Sequence, residues 1–185
     1  MPRIDADDII LYIYKDSEPP ARSLRLSECA RRYAASSGLP AVHDRLATAP
    51  GGKPYFLRQP GLHFSISHSG DYWAVAFGGQ PVGLDIQQHA ARDYLALAKR
   101  WYHPQEYAAV QQYGPAHFFA IWSAKESVVK CSGKGIFASF STFSVAEGSG
   151  ILPLSAGLQV RPVSLMKGYA ACLCAKRIKR VYLEW

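Results

Sequence analysis

Short apolar runs alternate along this chain with one long helical stretch. Residues 8–14 (DIILYIY) are β-branched or aromatic almost throughout, which predicts a strand. Three later runs, His63–His68, Tyr72–Phe77 and Val82–Gln87, are split by glycines and predict strands of one sheet. Between the first run and these, Ala21–Ser37 sets Leu24, Cys29 and Tyr33 among basic residues, as a helix does, and Ala49–Pro54 (APGGKP) is turn chemistry. Beyond residue 90 the period lengthens. Asp93–Trp101 predicts one helix, His103-Pro104 punctuates it, and Gln105–Gln112 predicts a second. Pro115 stands where a third begins that runs to Gly133. The stretches Phe140–Val145, Leu158–Val163, Tyr169–Ala175 and Val181–Trp185 predict short alternating strands. Strands, then helices, then strands argue for an α+β fold with antiparallel pairing rather than an alternating α/β sheet. Gly79–Pro81 is the expected seam between an N-terminal half, residues 1–80, and a C-terminal half, residues 81–185.

Composition narrows the partner. Of the 185 residues, 49% are apolar, enough for a core and too many for a disordered tail. Lys and Arg exceed Asp and Glu by 21 to 14, a net charge of +7, so the partner is expected to carry negative charge. Nucleic acid, an anionic membrane, a phosphate-rich cofactor and an acidic protein all satisfy that. No run approaches the roughly 18 apolar residues of a membrane helix. The opening MPRIDADDIILYIYKD puts acids before a short apolar run, unlike a secretory signal, so a cytoplasmic protein is expected. Cys29, Cys131, Cys172 and Cys174 show no CxxC pairing and read as buried free thiols of a reducing compartment.

Three segments carry candidate chemistry. In Phe64–Gly70 (FSISHSG), Ser65, Ser67 and Ser69 alternate with Phe64, Ile66 and His68 up to a glycine turn. Hydroxyls and an imidazole at a strand end suit an anion, and a polar strand end is the plainer reading. Ser67 and His68 are adjacent on a strand and point to opposite faces, so they are poorly placed as a nucleophile and its base. In Val82–Gln87 (VGLDIQ), Asp85 lies inside an apolar run, where a carboxylate is costly unless paired or holding a metal. Gln87, two residues on, leaves the same face, and two oxygen ligands at that spacing suit a hard cation such as Mg²⁺. In Trp122–Lys130 (WSAKESVVK), Trp122, Glu126 and Lys130 share one helix face, with Lys125 beside it. Glu126 could complete a carboxylate site with Asp85, and Lys125 and Lys130 could neutralise phosphates. An exposed Glu–Lys pair is the plain alternative.

Taken in order, Gly52-Lys53-Pro54, Ser67-His68-Ser69, Gly83-Leu84-Asp85-Ile86-Gln87, Trp122-x-x-Lys125-Glu126-x-x-x-Lys130 and Gly133-Lys134-Gly135 resemble the 4′-phosphopantetheinyl transferases of the surfactin-synthetase-activating (Sfp) type. Ala98–Glu106 is similar to that family's connecting segment, which ends in a Glu. The likeness runs from about Arg22 to Val145. It implies two similar α+β halves related by a pseudo-twofold, with the active site in the cleft between them. It implies transfer of phosphopantetheine from coenzyme A to a serine of an apo acyl, peptidyl or aryl carrier protein, releasing 3′,5′-ADP. Lys53, Ser67 and His68 would contact the coenzyme's phosphates, with Arg22 and Ser23 near its nucleotide. Asp85 and Glu126 would hold Mg²⁺ against the pyrophosphate, Lys130 would stabilise it, Lys125 belongs to the same motif, and Glu106 would line the site. Glu126 or a metal-bound water is the candidate base.

Two departures stand out. Gln87 replaces the pattern's Glu, so it is expected to serve Mg²⁺ weakly or through a water. The segment before Arg22 is short, so some basic residues that grip the 3′-phosphate are expected to be missing, with Arg31 and Arg32 candidates to compensate. A basic nucleic-acid-binding module and an inactive coenzyme A-binding homologue are the alternatives. Against the first, the basic residues cluster only at Lys176–Arg180. The expected partners are therefore coenzyme A and a carrier protein, with no nucleic acid or membrane, and a monomer.

Overall fold

The structure is a computed structural model and describes residues 4–18, 20–43, 45–59, 61–133 and 140–185. Two four-stranded sheets carry the architecture. In the first, β1 (Ile9–Lys15) lies between β12 (Val181–Glu184) and β5 (Tyr72–Gly78), and β4 (His63–Ser69) forms the far edge. In the second, β6 (Val82–Gln88) is followed by β11 (Tyr169–Ala175), β10 (Leu158–Pro162) and β9 (Leu154–Ser155). The fold is α+β, and the chain passes from one sheet to the other across Gly79–Pro81.

The two sheets stack face to face, and one long helix covers each outer face. Alternation along the strands explains this. Ile9, Leu11 and Ile13 of β1 pack with Ala74 and Ala76 of β5 against Val82, Leu84, Ile86, Ala171 and Leu173 of the second sheet. Their neighbours Ile10, Tyr12, Val75 and Phe77 face the other way, onto Leu26, Cys29, Ala30 and Tyr33 of α1 (Arg22–Ser37). On the second sheet, Cys172, Cys174 and Val160 face Phe118, Ile121, Ala124 and Val128 of α4 (Pro115–Ser132). Strands buried on both faces read as continuous apolar runs, which is why these were visible in the sequence. Helices α2 (Tyr94–Trp101) and α3 (Pro104–Tyr113) pack beside α4. Pro115 opens α4, and Gly133 closes it in the left-handed region at φ 68°, its N–H bonded to the Val129 carbonyl.

The sheet assigned to Val82–Gln87 and the strand at Phe140–Val145 need correction, while the turn at 49–54 and the buried free cysteines stand as expected. Val82–Gln87 does not join the sheet of His63–His68 and Tyr72–Phe77; it opens the second sheet. The predicted turn at 49–54 is the tip of a small hairpin, β2 (Leu46–Thr48) with β3 (Pro54–Phe56). Phe140–Val145 is no strand: Phe140–Thr142 is a 3₁₀ turn, and a small hairpin, β7 (Ala146–Glu147) with β8 (Gly150–Ile151), follows. The C-terminal strand β12 runs parallel to β1, the one parallel pair between described strands. All four cysteines are free and buried. Among the described residues no helix is long and apolar enough to cross a membrane.

Candidate active site

The edges of the two sheets meet at β4 and β6, and serine side chains join them. The backbone N–H groups of Leu84, Ile86 and Gln88 donate to the hydroxyls of Ser65, Ser67 and Ser69 at 3.0, 3.1 and 2.9 Å. Matching periods of two on both strands make this a seam of hydroxyls where a backbone ladder would otherwise run. The alternating serines were plain in the sequence; their service to an opposing strand was not.

Asp85 projects from the face of β6 that meets α4, within reach of Ser67 at the seam. That helix can come close because residue 83 is glycine. A Cβ there would lie 1.8 Å from the Ser127 carbonyl oxygen and 2.6 Å from the Cys131 nitrogen. The close crossing brings Glu126 and Lys130 to Asp85. The Lys130 ammonium lies 2.7 Å from Asp85 Oδ1 and donates to the Ser67 hydroxyl at 3.3 Å. The Ser67 hydroxyl donates to the same Oδ1 at 2.8 Å, and Gln87 Nε2 donates to Oδ2 at 3.1 Å. Asp85 is buried and Lys130 partly exposed. Glu126 is buried too. Burial first, and the Asp85 charge second, push its pKa up to about 7, with Lys130 opposing. Two buried carboxylates on facing elements, Asp85 on β6 and Glu126 on α4, suit a cation.

Lys53 sits across the boundary between the halves. Its ammonium donates to the Val82 carbonyl at 2.8 Å and to the Lys130 carbonyl at 2.7 Å, in the last turn of α4, where the helix dipole favours a positive charge. Burial lowers its pKa. Lys53 and Lys130 both line a cleft of about 210 Å³ walled by Gly51 and Gly52 of the hairpin tip, Ser65 and Ile66 of β4, and the end of α4. Residues from both 1–80 and 81–185 therefore build it. Of the Gly133-Lys134-Gly135 motif, Gly133 lines this cleft, and Lys134 and Gly135 lie outside the described residues.

A second group of polar residues gathers at the start of α1. Arg22 makes a two-point ion pair with Asp16, its Nε 2.7 Å from Oδ1, and Ser23 is exposed beside it. His68 is exposed. The Arg22 bond lowers the Asp16 pKa, and the charges of His68 and Arg25 add to the effect, so all three basic groups are near that carboxylate. Ser67 and His68 do face opposite ways, and only Ser67 joins the acid pair. Arg32 is engaged elsewhere, 2.6 Å from Glu184 with its guanidinium over the Tyr12 ring. Arg31 is exposed.

Lys125 and Glu106 are not brought to the cluster. Both are fully buried, 2.8 Å apart. The Lys125 ammonium also donates to the Phe140 and Phe143 carbonyls and lies 4.4 Å from the Phe143 ring centre. Glu106 accepts from the N–H groups of His103 at 3.1 Å and Val145 at 2.7 Å. It closes the capping box of α3 and ties that helix to α4. Nothing in the spacing of Lys125, Glu126 and Lys130 distinguished the tie from the site.

The chain is thus a two-sheet α+β protein that sets two buried carboxylates and a lysine beside a cleft lined by residues from both 1–80 and 81–185. Residues 81–174 match the 4′-phosphopantetheinyl transferase superfamily, and the chain belongs to it. It is 34% identical over 149 residues to 4′-phosphopantetheinyl transferase psf-1 of Bacillus pumilus, which covers 75% of this chain and 64% of that protein. It is 37% identical over 105 residues to 4′-phosphopantetheinyl transferase Sfp of Bacillus subtilis strain 168, over 55% of this chain and 46% of that one. Against 4′-phosphopantetheinyl transferase gsp of Aneurinibacillus migulanus the identity is 29% over 133 residues, 67% of this chain and 55% of the other. The chain thus spans about half to just under two thirds of the length of these relatives.

Proposed function

We propose that this protein transfers the phosphopantetheine arm of coenzyme A to a serine hydroxyl of an apo carrier protein. The observation that carries this is the meeting of Asp85, Glu126 and Lys130 beside a cleft that also holds Lys53. In the reaction the serine oxygen forms a bond to the phosphorus that bears the pantetheine. The bond from that phosphorus to the bridging oxygen breaks, 3′,5′-ADP leaves, and the serine gives up its proton. Phosphoryl centres need charge neutralisation and alignment more than a protein nucleophile.

The donor set fits Mg²⁺. Among the described residues there is no group of three or more His, Cys, Asp or Glu that could cage a metal. Mg²⁺ asks only for one or two carboxylates, completed by waters and substrate phosphates. Asp85 and Glu126 would hold it, and when bound it supplies positive charge against the pyrophosphate. The chain's own residues do the rest. Lys130 and Lys53 place positive charge at the cleft, and Arg22, Ser23 and His68 form a basic edge for the nucleotide end. Glu126 is the candidate to accept the serine proton. The net charge of +7 favours an acidic carrier.

The test is mass spectrometry of an apo carrier protein incubated with coenzyme A, Mg²⁺ and this protein. The expected result is a carrier heavier by one phosphopantetheine arm, abolished by Asp85→Ala and by Glu126→Ala. An unchanged carrier panel spanning fatty-acid, polyketide and peptide synthesis would refute the activity. Full turnover in both variants would refute the site.

A further inference from the structure

Gln87 stands on the same face of β6 as Asp85 and turns its amide toward it, 3.1 Å from Oδ2. A carboxylate in contact with a lysine is an acceptor only, so the amide must present its NH₂ there. Ser67 holds the other oxygen. Its hydroxyl has a single proton, which goes to Oδ1 at 2.8 Å, and its lone pairs are met by the Ile86 N–H at 3.1 Å and the Lys130 ammonium at 3.3 Å. Asp85 is thereby gripped at both oxygens, from a seam that itself fixes β4 to β6.

We propose that Ser67 and Gln87 are positioning residues that clamp the Asp85 carboxylate, residue 87 acting as a hydrogen-bond donor to Asp85 and not as a cation ligand. The proposal rests on the metal reading above for its functional meaning, but its geometry stands alone. A glutamate at 87 would add a third carboxylate to the pair Asp85 and Glu126, against Asp85 at a distance where like charges repel strongly in a partly buried site. Such a site would bind a divalent cation tightly and be strained without one. With glutamine the empty site is already oriented, and the cation is drawn in chiefly with the phosphates it serves.

Mn²⁺ as a spectroscopic probe separates these designs, read by electron paramagnetic resonance on the free protein and again with coenzyme A, beside thermal melts without added metal. Gln87→Glu is expected to tighten Mn²⁺ binding to the free protein by about tenfold or more. It should also lower the cation-free melting temperature, with recovery when Mn²⁺ is added. Gln87→Leu should leave the Mn²⁺ affinity within about threefold while lowering kcat about tenfold at unchanged KM for coenzyme A. Ser67→Ala should likewise lower kcat, and Ser67→Thr, which keeps the hydroxyl, should restore it. A tenfold or greater loss of Mn²⁺ affinity in Gln87→Leu would make residue 87 a ligand and overturn the proposal. So would Gln87→Glu with unchanged cation-free stability and Mn²⁺ binding. If the wild type binds no Mn²⁺ even with coenzyme A, the metal reading fails instead. The clamp is then judged by the cation-free melts, where both Gln87 variants must fall below the wild type.

Discussion

Lys125 and Lys130 lie five residues apart on one helix, yet the first has no exposed surface and the second is 23% exposed. The difference predicts opposite phenotypes. Lys125→Met strands the buried Glu106 carboxylate without its cation, which is expected to cost about 3–5 kcal/mol of stability. Adding Glu106→Gln should return part of that loss, because the orphaned charge is gone. Lys130→Met should move the denaturation midpoint far less, since Asp85 keeps Ser67 and Gln87, and should instead abolish transfer. Urea unfolding of the two single variants and the Lys125/Glu106 double-mutant cycle measures this directly. Equal stability losses from the two lysines would contradict the division of roles. Spacing placed all these residues on the right helix, but five positions along a helix do not say which ammonium meets a carboxylate from a distant segment. Glu106 and Phe140, which decide it, are brought in only by tertiary packing. The same long-range bonds explain why Phe140–Val145 is no strand despite its pattern: Lys125 holds the Phe140 and Phe143 carbonyls, and Phe140–Thr142 forms a 3₁₀ turn.

Among the elements, β6 and α4 set the site, and Gly83 sets their separation. Asp85, Glu126 and Lys130 could not meet if the helix stood off the strand by a side chain. Gly83→Ala puts a methyl group into helix backbone, which cannot turn aside as a flexible side chain would. The expected cost exceeds the roughly 1–3 kcal/mol typical of core overpacking. Any folded variant should lose transfer more steeply than stability, because the acid pair is pried from Lys130. Denaturation and turnover measured on the same preparation check this, and a variant with wild-type values for both would show that the helix shifts at little cost. Strand positions and the α+β class were legible because alternation marks the two buried faces independently of partners. The sheet to which β6 belongs was not. Ser65, Ser67 and Ser69 supply through hydroxyls the bonds that a neighbouring strand normally supplies through carbonyls. The sequence pattern of that seam is indistinguishable from a polar strand end.

For the whole molecule, the question is what holds the first sheet closed, since its outer strand comes from the C-terminal end of the chain. Parallel pairing of β12 with β1 is reinforced where the two strands begin. The Arg180 guanidinium grips Asp8 at both oxygens, at 3.0 and 2.7 Å, and the Asp5 N–H adds a third bond at 3.0 Å. The Asp8 side chain is fully buried, while Arg180 is half exposed. The Arg180 bond, resisted by burial, lowers the Asp8 pKa. A carboxyl whose folded pKa lies below its unfolded value of about 3.9 binds fewer protons folded than unfolded on the way down in pH. Its contribution is therefore complete above that unfolded value and is lost as pH falls through the folded one. Asp8→Asn should lower the melting temperature at pH 7, and the gap from wild type should narrow steadily as the pH is taken below about 4. Arg180→Gln should do the same, since either change opens the fork. Melts of the three proteins at pH 7, 4 and 3 decide the matter. A gap that stays constant with pH would mean that Asp8 acts by packing alone, and that the paired charges do not hold β12 to β1.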